Sequence, residues 1–213
     1  MELKGKKINF LGDSITFGAG VSDPDNRFTV RIGRSAELAA SRNYGISGTR
    51  IARQHTPTEN ASFDRDFCSR VAEMDPDADV IVVFGGTNDF GHGDAPIGTF
   101  SDRTPDTFYG ACHTLMSSLL EKYPGAVIVI MTPIHRLSEN HPDRKGHILV
   151  DYVDMIREVA RYYGLPVLDL FAMSGIQPAV PVIREKFCPD GLHPNDAGHA
   201  LLADRIENFL RAL

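Results

Sequence analysis

Residues 80–84 read Val-Ile-Val-Val-Phe, and residues 126–131 read Ala-Val-Ile-Val-Ile-Met. These runs are almost wholly aliphatic, rich in β-branched residues, and show no polar alternation. A strand with one wet face alternates; a strand without alternation is covered on both sides, as in a parallel sheet clothed by helices. Shorter runs at 8–11 and 165–170 have the same character, and a weaker candidate spans 42–46.

Helical patterns fill the gaps. Thr104, Pro105 and Asp106 are helix-start chemistry, and Phe108, Ala111, Cys112, Leu115, Met116, Leu119 and Leu120 follow as one apolar stripe. A second stripe runs from Ile148 through Tyr152, Val153, Ile156 and Val159 to Tyr163 and stops at Gly164, a candidate left-handed cap. A last helix starts near Asn195 and turns Leu202, Ile206 and Leu210 inward. Strands alternating with helices build βαβ units, hence a doubly wound α/β fold. With no repeat or linker-like stretch, one domain over residues 1–213 is expected. Irregular stretches at 91–103, 134–146 and 172–194 leave the carboxyl ends of strands, where open α/β sheets bind ligands.

Composition narrows the partners. A formal charge of −6 argues against nucleic acid or an anionic membrane surface, and no apolar stretch is long enough for stable membrane insertion. Cys68, Cys112 and Cys188 form no CxxC pair, so reduced thiols and a cytoplasmic setting are expected. His135, His141 and His147 lie near Asp143 but lack metal-ligand spacing, so neither metal nor cofactor is expected. His199 is expected to be exposed on the last helix, and Tyr162 and Tyr163 to pack.

The first strand ends in Gly12-Asp13-Ser14-Ile15-Thr16, which puts a serine in a turn where free N–H groups favour negative charge. Capping of a helix by Ser14 or Thr16 would explain the same residues. The G-x-S-x-G elbow is absent, because position 16 is threonine. Near the other end, Asp190-Gly191-Leu192-His193 sets an acid three residues before a histidine across a glycine turn. Such an acid can accept a hydrogen bond from the imidazole and fix its tautomer. Gly45-Ile46-Ser47-Gly48 and Gly85-Gly86-Thr87-Asn88 follow two more strands and offer backbone and amide donors for an oxyanion. Asp13, His135 and Phe100 are candidate substrate contacts.

In this order, GDSIT at 12–16, NYGISG at 43–48, GGTND at 85–89 and DGLH at 190–193 resemble the four signature blocks of the SGNH, or GDSL-type, hydrolases. The resemblance implies a three-layer flavodoxin-like fold with a five-stranded parallel sheet. It also implies Ser14 as nucleophile, and an oxyanion hole made by the Ser14 N–H, the Gly48 N–H and the Asn88 side chain. His193 would be the base, oriented by Asp190. Ile15 stands where the family name has leucine, and Thr87 is inserted relative to the shortest GGND form. The implied activity is serine esterase. Because no long apolar segment suggests a lipid-binding lid and the loops are rich in Gly, Asp and His, a small-molecule ester with a short acyl group or a sugar acetate is expected. A flavodoxin-like phosphate-binding module, or an acyltransferase using the same site, are the alternatives.

Overall fold

A computed structural model describes all 213 residues. The elements run β1 (Lys7–Gly12), α1 (Ser14–Phe17), α2 (Phe28–Ser35), β2 (Ala40–Gly45), α3 (Phe67–Arg70), β3 (Val80–Phe84) and α4 (Thr87–His92). They continue with α5 (Phe108–Lys122), β4 (Val127–Met131), α6 (Leu149–Tyr162), β5 (Val167–Leu168), α7 (Leu170–Met173), α8 (Pro181–Phe187) and α9 (Asp196–Ala212). The strands form one parallel sheet in the order β2-β1-β3-β4-β5, with helices on both faces. This is the flavodoxin-like order, whose direction reverses between β1 and β3.

The unbroken apolar runs have the expected cause. Val80, Val82 and Phe84 of β3 join one hydrophobic cluster with Phe28, Ile32 and Leu202 from α2 and α9. Ile81 and Val83 join the other, with Leu115 and Ile156 from α5 and α6. Successive side chains point to opposite faces, and each face is dry.

Departures from the sequence reading occur where local signals compete. The edge strand β2 begins two residues before the expected 42–46 and contains no fully buried residue. Its side chains pair with polar neighbours: Arg42 with Asp75 and Asp77, and the Tyr44 hydroxyl with Asp75. The expected strand at 165–170 shrinks to Val167–Leu168, because the Asp169 carboxylate accepts from Ala172 N and starts α7. The helix expected from Thr104 starts at Phe108, capped by Thr107, whose hydroxyl accepts from Gly110 N at 3.1 Å. The Pro105 and Asp106 carbonyls are instead taken by Arg53 N and the His55 ring. The stretch at 172–194 is not wholly irregular, since it contains α8.

The register aligns Gly12, Gly45, Phe84, Met131 and Leu168 in one row across the sheet. The segments that follow β1, β2 and β3 therefore leave the same rim, at the switch point where an open sheet forms a crevice.

Candidate active site

Asp13 is the residue that caps α1: its carboxylate accepts from Ile15 N at 2.9 Å. Ser14 is thus the first helical residue, and its own N–H has no acceptor within the helix. The Ser14 side chain is buried to all but 7 %. Its Oγ lies 3.0 Å from His193 Nε2, and His193 Nδ1 lies 2.7 Å from Asp190 Oδ2. Asp190 Oδ1 accepts from the Leu192 and His193 backbone N–H groups at 2.8 and 2.7 Å. With Nδ1 against a carboxylate, the ring proton belongs on Nδ1, leaving Nε2 free to accept from the serine. Burial pushes the Asp190 carboxyl up, but the backbone N–H groups of His193 and Leu192 and the imidazole outweigh it and hold it below the usual range.

Ser14 and His193 meet because the loop after α1 is stitched to the loop before α9. Ser22 N donates to Asp196 Oδ1 at 2.9 Å, and the Ser22 hydroxyl donates to the same carboxylate. Gly20 has φ +96° and lies against Pro194, where a Cβ would come within 2.4 Å of the Pro194 carbonyl oxygen. The positive φ and the close approach both call for glycine.

Gly48 follows β2 with φ +76° and lines a depression together with Ser14 and His193, and its N–H has no acceptor in the protein. Asn88, in the first turn of α4, is 5 % exposed. Its Nδ2 donates to the Thr49 carbonyl at 2.9 Å, while its Oδ1 lies 3.2 Å from His92 Nε2. His92 Nδ1 lies 2.7 Å from Arg50 Nη1. Arg50 can only donate, so Nδ1 accepts, Nε2 carries the proton, and the Asn88 oxygen is the atom that faces His92. The amide nitrogen is thereby turned toward Thr49 and the depression. Burial, reinforced by Arg50 and Arg136, lowers the His92 pKa and keeps the ring neutral. The buried Asp89 carboxylate accepts from Ile51 N and Ala52 N, tying the segment after β2 to α4.

The depression measures about 290 Å³, and Ser14, Gly48, Phe63, Asn88, Arg136 and His193 are among its walls. A second depression of about 690 Å³ shares His92 with it and is polar apart from Phe90 and two prolines.

Three expected contacts sit elsewhere. Asp13 is 2 % exposed and spent on its cap, with its carboxyl pushed up to about 7 by burial. His135 bonds Glu139 at 2.8 Å and packs on Phe171, while its neighbour Arg136 enters the depression. Phe100 packs edge-on against His113, Tyr109 and Tyr162. The expectation for His199 is corrected too: it is fully buried, stacked on Phe28, with Nδ1 accepting from Phe28 N. Phe28, the first residue of α2, covers the ring where α2 packs on α9. Burial also pushes the Cys188 thiol up to about 12, which leaves it inert as a nucleophile. No group of histidine, cysteine and acidic side chains has the arrangement of a metal site. Sequence reasoning did not find His92, Arg50 or Arg136. The only local cue was that Arg136 lies in the irregular stretch after β4.

A hydroxyl, an imidazole and a carboxylate in a hydrogen-bonded line, beside free donors at one sheet edge, are the arrangement that serine-type hydrolysis requires. The chain belongs to the GDSL-like lipase/acylhydrolase family, whose model matches residues 10–201. It is 26% identical over 203 residues to a GDSL lipase of Mycobacterium tuberculosis, covering 93% of this chain and 79% of that protein. A solved Lactobacillus plantarum protein is 30% identical and superposes with TM-score 0.85 over 99% of this chain and 98% of its own. A two-domain esterase active on acetylated mannans is 22% identical, with TM-score 0.66 over 99% of this chain and 49% of that one. No helix is long and apolar enough to cross a membrane.

Proposed function

We propose that this chain is a serine esterase that cleaves a small carboxylic ester through an acyl-enzyme on Ser14. The observation that carries the reading is the line Ser14–His193–Asp190 beside the unpartnered Gly48 N–H. His193 Nε2 takes the Ser14 proton as Oγ bonds to the ester carbonyl carbon. The oxygen that becomes negative is met by the N–H groups of Ser14 and Gly48 and by the Asn88 amide. The tetrahedral carbon then expels the alcohol, which leaves with the proton from His193. Water enters, His193 takes its proton, and the carboxylic acid leaves as Ser14 regains its hydrogen. Asp190 keeps Nδ1 protonated and steadies the imidazolium in both halves.

A depression of about 290 Å³ is at the small end for ligand sites and supports a short acyl group. The polar depression beyond His92 supports a hydrophilic alcohol, such as an acetylated sugar, over a lipid. The free thiols of Cys68, Cys112 and Cys188 are consistent with a cytoplasmic setting. Purified protein is expected to hydrolyse p-nitrophenyl acetate faster than long-chain esters, and Ser14→Ala to abolish that turnover. An organophosphonate should silence the wild type by adding to Ser14. Undiminished hydrolysis by Ser14→Ala would overturn the reading.

A further inference from the structure

Arg136 is the cation in the wall of the catalytic depression that has no acid within ion-pair distance. Arg50 meets Asp64, Arg42 meets Asp75 and Asp77, and Arg157 meets Asp154 and Asp169, whereas the partly buried Arg27, Arg31 and Arg184, which also lack an acid, lie outside this depression. The buried Arg70 has no acid either, but three acceptors take both ends of its guanidinium: the Gly12 and Tyr44 carbonyls and the Thr49 hydroxyl. Arg136 differs on both counts. Its Nη1 donates to the Thr87 carbonyl at 3.0 Å and sits 3.3 Å from the Thr87 hydroxyl, and its Nε donates to Ser138 Oγ at 3.2 Å. Nη2 donates to nothing. The guanidinium lies over the Phe90 ring, 5.3 Å from its centroid, so the fork is held in place.

Withdrawing a cation partly from water is costly unless an anion meets it. Neutral acceptors fix this guanidinium, which leaves Nη2 unused, and Arg136 is part of the wall of a depression that also contains Ser14 and His193. A planar fork with a free N–H pair is the arrangement that grips a carboxylate or phosphate. We infer that Arg136 is a specificity-determining residue that binds an anionic group on the substrate, so that the preferred ester carries a carboxylate or phosphate close to its scissile bond. This rests on the esterase reading above and names the substrate class of that same site.

The test compares esters that differ by one charge. Mono-p-nitrophenyl glutarate against its methyl ester places the charge on the acyl side. 4-Acetoxybenzoate against methyl 4-acetoxybenzoate places it on the alcohol side. In at least one pair, kcat/KM of the wild type is expected to favour the carboxylate by roughly 10-fold or more, chiefly through KM, the span of a charge-assisted hydrogen bond. Arg136→Gln should bring that ratio to near one, and Arg136→Lys should keep only part of it because an ammonium lacks the fork. Inorganic phosphate as a competitive inhibitor of p-nitrophenyl acetate hydrolysis would assign the phosphate form. The wild-type ratios need no variant to fold: no preference in either pair overturns the inference, as does a preference that survives in Arg136→Gln. Failure of Ser14-dependent hydrolysis of the neutral esters would instead overturn the esterase reading.

Discussion

The loop before α9 and the body of that helix each carry a histidine, and their surroundings make them opposites. His193 is partly open, with an acid on one ring nitrogen and a serine on the other. His199 is closed off, stacked on Phe28, with Nδ1 taken by a backbone N–H and Nε2 without any partner. Burial lowers its pKa to about 4. An imidazole with a carboxylate partner can gain and lose a proton at little cost. One buried and stacked on an aromatic ring can do so only by giving up its packing.

The contrast breaks most visibly in rates. His193→Ala should cost roughly 10⁴-fold or more in kcat while leaving the melting temperature near that of the wild type. His199→Asn should do the reverse, destabilising the fold with kcat changed little. Equal rate losses in the two would end the distinction. Next in size, Asn88→Ala should lower kcat by roughly 10²–10³, the usual worth of one oxyanion donor. A loss under about threefold would remove Asn88 from that role.

The third test is pH-dependent stability, where His199 opposes Asp13. The folded His199 titrates near 4 against 6.5 for a free imidazole, so between those values the unfolded chain binds the extra proton. Stability therefore rises with pH across that window, by about 3 kcal/mol in all. The folded Asp13 carboxyl titrates near 7 against 3.8, so the folded chain binds the extra proton and stability falls as pH rises, by about 4 kcal/mol. The two slopes nearly cancel between pH 4 and 6.5. Urea midpoints should then fall with rising pH in His199→Asn and climb in Asp13→Asn, and parallel profiles would refute both assignments. The smallest effect is expected at His92→Leu, about tenfold in kcat, because Asn88 loses the hydrogen bond that orients its amide. An unchanged rate would leave His92 with only a structural part.

The central strands were legible because burial on both faces leaves an unambiguous mark, and β3 occupies the five residues that its composition indicated. The ends of the sheet were less so. At β2 the side chains answer to polar partners, not to a core, and at β5 a capping aspartate cuts the strand short. Helix starts went astray where two threonines competed, and Thr107 prevailed because Pro105 and Asp106 had other obligations. In the site, residues next to glycine turns could be read, since turns carry local chemistry. Arg136 could not, because its neighbour His135 had the same claim and only packing chose between them.

From its residues alone, this chain determines the layered parallel sheet, the order of its main elements, and which chemical groups stand at strand ends. Those follow from periodicity and turn chemistry, which act over a few residues. Only the tertiary structure decided that Ser22 would tie itself to Asp196 and so bring Ser14 within 3.0 Å of His193. It also decided that Arg50 would fix the face of Asn88 through His92, and that one guanidinium would reach the crevice without an acid. Contacts between distant segments depend on how whole faces pack, and no short window of sequence contains that information.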